Sequence, residues 1–278
     1  MSGGGAKPEI ENDVTVIETS SESLQPAAVF HIIKDLVGFV LYMHQQIPAC
    51  LQDLNTEFET LQDEKLQLES GRETGCLLPR ERRQKMMQLR ENRHRIRKLQ
   101  KLMQSIARLE NALHLLIAQA PPVETIILAL GSSPIRPHCV YELSLTQCND
   151  SITNPAIDFV KSKAAEVLSR KVIRTLISSG AGSNSFPGPW KLFLLVKTSS
   201  TLDLPLHFLP NRDFRYGRKI APFRLQLKSR IQEMSCDNSD FSFNHGDFSR
   251  TRDNSATLIW FQCRHIITGL AVTEPVED

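Results

Sequence analysis

The chain lacks most of the signatures by which chemistry announces itself. Its six cysteines, Cys50, Cys76, Cys139, Cys148, Cys236 and Cys263, form no C-x-x-C pair, so neither a zinc ribbon nor a disulfide framework is expected, and reduced, mostly buried thiols fit better. Aromatic residues make up 6%, too few and too scattered for a base-stacking platform. Net charge is only +2, which excludes a wholly basic or wholly acidic protein. The longest uninterrupted apolar runs, such as Ile126 to Leu130 and Leu192 to Val196, are far below the roughly 18 residues of a membrane helix, so no span is expected. There is no G-x-x-x-x-G-K-[ST], no G-x-S-x-G and no H-E-x-x-H, which removes the common phosphate loop, nucleophile elbow and zinc-protease helix. Gly180 to Gly188 holds glycines but no lysine, and the close pairs His138-Cys139 and Cys263-Arg264-His265 supply too few ligands for zinc. No cofactor, metal or catalytic residue is expected, and a non-enzymatic role follows.

What is present is ordinary globular material: 278 residues, 41% hydrophobic and 23% charged. Residues 1–25 carry five acids and one lysine and no signal-peptide pattern, and read as a flexible acidic tail with one short apolar segment, Val14 to Ile17. Pro26 opens a helix with Val29, Phe30, Ile33, Leu36, Val37, Val40 and Leu41 at helical spacing. Phe39 and Met43 widen its stripe. A second helix over about Ala49 to Leu68 carries Leu51, Leu54, Phe58, Leu61 and Leu66, and a third spans about Arg80 to Ala118.

Beyond Pro122 the period changes. Val123 to Leu130 reads as a buried central strand and Cys139 to Thr146 as a half-buried one. A helix of about Ala156 to Ser178 follows and ends at Gly180-Ala181-Gly182. Lys191 to Lys197, Phe223 to Leu227, Leu258 to Cys263 and His265 to Val272 read as strands, with 235–256 as a polar loop. The order predicts an α+β fold, helices packed on a mixed or antiparallel sheet, over residues 26–273 with a short tail at 274–278. Asn149-Asp150-Ser151 reads as a turn, and Ser132-Ser133-Pro134 as a turn or a phosphorylation site.

Charge is concentrated in one place. Residues 80–101 hold ten Lys/Arg against Glu81 and Glu91, a net of +8. The reading is either a nucleic-acid or acidic-partner patch or a solvated helix face; the missing aromatics favour the second.

Several strings in order resemble the comet family, the Mad-two-binding silencers of the spindle assembly checkpoint: Tyr42-Met43-His44-Gln45-Gln46-Ile47-Pro48, Ile126 to Gly131 followed by Val140-Tyr141-Glu142-Leu143, Phe208 to Arg215, and Leu258 to Gln262. The tail segment Val16 to Ser21 is similar as well, and the likeness runs over about Val29 to Leu270. The resemblance implies a HORMA-like domain that acts as an adaptor. It would bind the closed conformer of the HORMA protein Mad-two as a monomer forming a heterodimer. It would then present that conformer to an AAA+ remodelling ATPase, disassembling the mitotic checkpoint complex in nucleus and cytoplasm and at the spindle and kinetochore.

Carried over by position, the partner-facing polar residue falls on Met43, where the compared family member has glutamine. The aromatic anchor falls on Ile173, between Lys171 and Arg174, with Ala164-Ala165 and Arg174 setting the register. Plain core is the competing reading of Ile173. The ATPase-facing loop falls on Pro210, Asn211 and Arg215; the family's lysine is Asn211 here, and Arg212 moves the charge by one residue. The tail would help engage the ATPase. The alternative from another class is a nucleic-acid-associated scaffold built on 80–101.

Overall fold

The computed structural model describes residues 14–18, 24–70, 79–119, 123–146, 161–183, 188–217, 220–228 and 257–270. The polar loop 235–256, the sequon at Asn149, the tail 274–278 and Cys76, Cys148 and Cys236 lie outside the described residues. So do 156–160, the expected first turn of a helix.

Among the described residues four helices accompany a mixed sheet, so the α+β expectation holds. In chain order the elements are β1 (Val14–Glu18), α1 (Pro26–Met43), α2 (Leu51–Ser70), α3 (Pro79–Ala118), β2 (Thr125–Gly131), β3 (Pro137–Thr146), α4 (Lys163–Ser178), β4 (Lys191–Ser199), β5 (Phe208–Pro210), β6 (Phe223–Lys228), β7 (Leu258–Cys263) and β8 (Ile267–Thr268). The sheet runs β1-β6-β3-β2-β4-β7-β5, with β8 also on β4. β1–β6 and β3–β6 are parallel and the other pairs antiparallel. α1, α4 and the second half of α3 pack on one face of the sheet.

β2 is buried at every position, and the reason lies on both faces of the sheet. Ile126, Leu128 and Leu130 join the core beneath the helices. Ile127 and Ala129 join a second cluster with Val140, Phe193, Leu195 and Phe214, onto which Tyr216, Ile220 and Trp260 pack. The segment after β5 therefore covers the face the helices leave bare. The same cover buries Val140, where the half-buried alternation of β3 fails; exposed His138 and half-buried Glu142 and Ser144 keep it on either side.

Four further expectations need correction. The segment Val14 to Ile17 is no loose part of a tail: β1 pairs in register with β6, and Ile17 is buried. An edge β6 offers unpaired backbone groups that a neighbouring strand satisfies. α4 starts at Lys163 rather than near Ala156, because Ser162 is extended and its Oγ accepts from Ala165 N (3.1 Å), a favourable N-cap. Leu66 is 62% exposed; the inward line of α2 is Leu51, Leu54, Phe58, Leu61, Lys65 and Leu68, whose alternating steps of three and four leave Leu66 out of phase. The last strand is also shorter than read, Ile267–Thr268 rather than from His265, with Val272 outside the described residues.

By length and a mean hydropathy of 1.5, α1 meets the criteria for a membrane span. Its apolar residues are spent inside the fold: Val29, Phe30, Ile32, Ile33, Leu36, Val37, Val40 and Leu41 are buried against α3, α4 and the sheet. Lys34 reaches Glu110 of α3 at 3.0 Å, which places α1 between two helices.

Candidate functional site

The residues singled out by resemblance fall on two surfaces. The first is built on α1 and α4. Asp35 Oδ2 accepts from Ser169 Oγ (2.6 Å) and from Lys161 Nζ (2.9 Å). Eight residues later, Met43 lies against Gly182, past the end of α4. The two helices therefore run in the same direction, with their C-terminal ends side by side.

Both helices end in the same backbone motif. After α4, Gly180 N donates to the Ile177 carbonyl and Ala181 N to the Leu176 carbonyl, with Gly180 at φ 83°. This is the Schellman arrangement, for which glycine is the natural residue. After α1, Gln45 N donates to Tyr42 O and Gln46 N to Leu41 O, with Gln45 at φ 55°. A glutamine in the left-handed region is costly and persists because its surroundings hold it. The holding group is Gln46, fully buried: its Oε1 accepts from Trp190 N (2.6 Å), its Nε2 donates to the His44 carbonyl (2.8 Å), and its own carbonyl accepts from Leu270 N (2.7 Å). Buried His44 meets Tyr141 OH at 2.8 Å. The string from Tyr42 to Pro48 is thus a structural joint tying α1 to β3, to the start of β4 and to the segment after β8. Met43, half-buried within it, owes its place to Gly182: that glycine has φ 86°, and a Cβ there would stand 2.6 Å from Met43 Cε.

On α4 the inward set is Ala165, Ser169, Val172 and Leu176. Lys171 and Arg174 are exposed, and Ile173 is half-buried on the flank between inward and outward lines. The outward apolar residues are Val167, 59% exposed, and Ile177, 51% exposed. In the sequence Val167 reads only as one of the helix's apolar positions, with Ala164, Leu168, Val172, Ile173 and Leu176, and Ile177 is not singled out. Their signal was phase: at 100° per residue, Val167 points almost opposite to Ala165, Ser169, Val172 and Leu176. Around them stand Lys163, Arg170, Lys171 and Arg174, while Glu166, the sole acid on the helix, is paired with Arg170.

The second surface lies at the other side of the sheet. β5 is one edge strand, whereas α4 lies beside β1 at the opposite edge. Pro210, Arg212 and Arg215 are exposed and Asn211 is half-buried. The loop is held rigidly: Asn211 N donates to Trp260 O (2.7 Å), and buried Phe214 packs edge-on to the Trp260 ring at 5.4 Å. Leu209 of β5, 43% exposed, adds an apolar contact beside the arginines. Met43, Lys171, Ile173 and Arg174 are therefore grouped on one side, and Pro210 to Arg215 on another.

Titratable groups elsewhere are structural. Burial pushes the Cys139 and Cys263 thiols up to about 11, the opposite of an activated nucleophile. Of the three described cysteines, Cys50 alone is exposed. Burial also raises Tyr141. Arg136 N donates to Ser133 Oγ, which makes Ser132-Ser133-Pro134 a hydrogen-bonded turn. Among the described residues no three His, Cys, Asp or Glu side chains converge as metal ligands. An open groove of about 430 Å³ on the α2–α3 pair is lined by Asp53, Thr56, Glu57, Thr60, Leu61, Glu64 and Arg95, a set without nucleophile and base in partnership.

The basic stretch 80–101 is the first half of α3, and α2 neutralises one flank of it. Glu57 meets Arg95 at 2.6 Å, Glu69 meets Arg93 at 2.8 Å, and Asn92 Nδ2 donates to Glu64 at 3.0 Å. The remaining flank is solvated.

No protein-family model matches the chain, and no curated protein does either.

Proposed function

We propose that the protein is a non-enzymatic adaptor of HORMA-like architecture that binds the closed conformer of Mad-two and hands it to an AAA+ remodelling ATPase. The observation that carries this reading is the pair of separate surfaces at opposite sides of one sheet, each a mixture of exposed apolar and basic side chains on a rigid support. An adaptor needs two surfaces, because one partner must be held while the other acts on it. On α4, Val167, Ile173 and Ile177 supply the apolar contact, Lys171 and Arg174 the polar rim, and Met43 the neighbouring end of α1. A partner covering roughly 800 Å² would bury all of these, and exposed apolar groups ringed by cations suit the centre and rim of such an interface. On the β5 side, Pro210, Asn211, Arg212 and Arg215 form the surface for the ATPase.

The test is size-exclusion chromatography with closed Mad-two, an open-locked form serving as control. The expected result is a one-to-one complex with the closed form only. Val167→Glu and Ile173→Glu should each weaken it at least about tenfold without lowering the melting temperature, since a charge is costly in an apolar contact. Arg212→Glu with Arg215→Glu should leave Mad-two binding intact and abolish ATPase-driven release. Absence of any shift with a folded sample at micromolar concentration overturns the reading.

A further inference from the structure

The outer flank of the first half of α3 is accounted for neither by the core nor by the two surfaces above. Between Pro79 and Lys98 the helix buries only Leu89 and Ile96, seven residues apart, and its neighbour there is α2. With half-buried Lys85 and Asn92 these residues continue a seam in steps of three and four that meets the matching seam of α2. The two helices make a short antiparallel coiled-coil arm. Roughly 160° round α3 from that seam, nearly on its opposite side, runs a second line with the same steps: Arg83, Met87, Arg90, His94, Arg97 and Lys101. All six are exposed, Met87 at 73%. No described acidic side chain is in an ion pair with Arg83, Arg90, Arg97 or Lys101.

The geometry points to a docking line for an acidic helix of a protein partner, which would lie along Arg83, Arg90 and Arg97 on the side of α3 turned away from α2. Two features select this occupant. The arginines recur every seven residues, about 10.5 Å apart on a straight line about 27 Å long from Arg83 to Lys101, which is the repeat of a helix carrying an acid once per heptad. Phosphates of a duplex instead follow one another at about 3.4 Å of axis per strand along a curved path, and the line holds no Phe, Tyr or Trp for a base to stack on. The second feature is α2 itself: on the seam side of the same helix its Glu57 and Glu69 pair with Arg95 and Arg93 of α3. An acidic helix thus already packs along α3 through arginine–glutamate pairs. Met87 provides the apolar point on which a facing leucine would rest.

The experiment uses the full chain and fluorescence anisotropy at near-physiological salt with four labelled probes. These are a four-heptad peptide with glutamate and leucine at alternating seam positions, its scrambled counterpart, a lysine-for-glutamate version, and a 24-base-pair duplex. The patterned acidic peptide should bind at least about tenfold more tightly than the scrambled and lysine peptides. Arg83→Glu, Arg90→Glu and Arg97→Glu together should remove that binding while leaving the closed Mad-two complex unchanged. Should the charge reversals disturb the arm by circular dichroism, glutamine at the same three positions carries the test. Equal binding of the scrambled peptide, tighter binding of the duplex, or no binding of the patterned peptide overturns the proposal. Tighter duplex binding assigns the line to a nucleic acid instead.

Discussion

The two halves of α3 share one unbroken helix of 40 residues and live in different surroundings. From Leu99 to Ile117 the helix buries Leu99, Leu102, Ile106, Leu109, Ala112, Leu113, Leu116 and Ile117; from Pro79 to Lys98 it buries two residues. The C-terminal half is a wall of the core, with Glu110 bound to α1 and His114 edge-on to Phe30. The N-terminal half has one partner helix and an otherwise wet circumference. Backbone geometry is the same in both, so stability and function diverge through side-chain contacts alone. The core half is sensitive to volume, and the arm half is sensitive to charge.

The sharpest way to break this comparison is to delete equal volumes in each half. Leu113→Ala, at a fully buried position, should cost about 2–5 kcal/mol and destabilise the whole fold. Leu89→Ala should cost less and be felt locally. Hydrogen exchange should quicken over 51–70 and 79–98 and leave β2 and β4 protected, because the arm can open by itself. Equal exchange in both regions would show the arm to be as coupled to the core as the C-terminal half is.

Acid titration gives a smaller contrast. His265 lies near His207 (ring nitrogens 2.9 Å apart), and its pKa falls below the usual 6.5 through burial first, then the charges of His207 and Arg108 of the core half of α3. Below pH 6.5 the unfolded chain takes up a proton that folded His265 resists. Stability is therefore unaffected by this group above pH 6.5, declines as the pH falls from 6.5 toward the lowered value, and loses nothing more from it below that. His265→Asn should flatten that part of the decline, and Arg108→Gln should reduce it. Arg97→Gln in the arm should not change it, as melting temperatures at pH 7.5, 6.5 and 5.5 would show. The smallest effect belongs to the exposed pair Glu57–Arg95. A double-mutant cycle should return about 0.2–1 kcal/mol at low salt, shrinking as salt is added.

The helices and central strands were legible because their signals are local. Pro26 and Gly180 punctuate helices by backbone chemistry, and the unbroken apolar run of β2 declares burial on both faces. Elements decided by distant neighbours were not legible. Val14 to Ile17 is too short to form a strand unaided and becomes one through β6. Val140 is buried because the segment carrying Phe214 crosses a face that alternation alone would leave to solvent. At the candidate site, Lys171, Ile173 and Arg174 were reached by resemblance, but the more exposed Val167 and Ile177 were not. Burial on a helix flank depends on which neighbour lies beside it, and α1 covers one side of α4 only.

Composition and periodicity by themselves determined the α+β class, the number and rough extents of the described helices, and the concentration of positive charge in 80–101, since each follows from residues close in the chain. Tertiary structure decided the order of strands, the joint at Gln46, the division of α3 into core and arm, and the placing of two mixed apolar and basic surfaces on opposite sides of the sheet. Those depend on contacts between residues scores of positions apart, such as Gln46 with Trp190, and no local spacing encodes them.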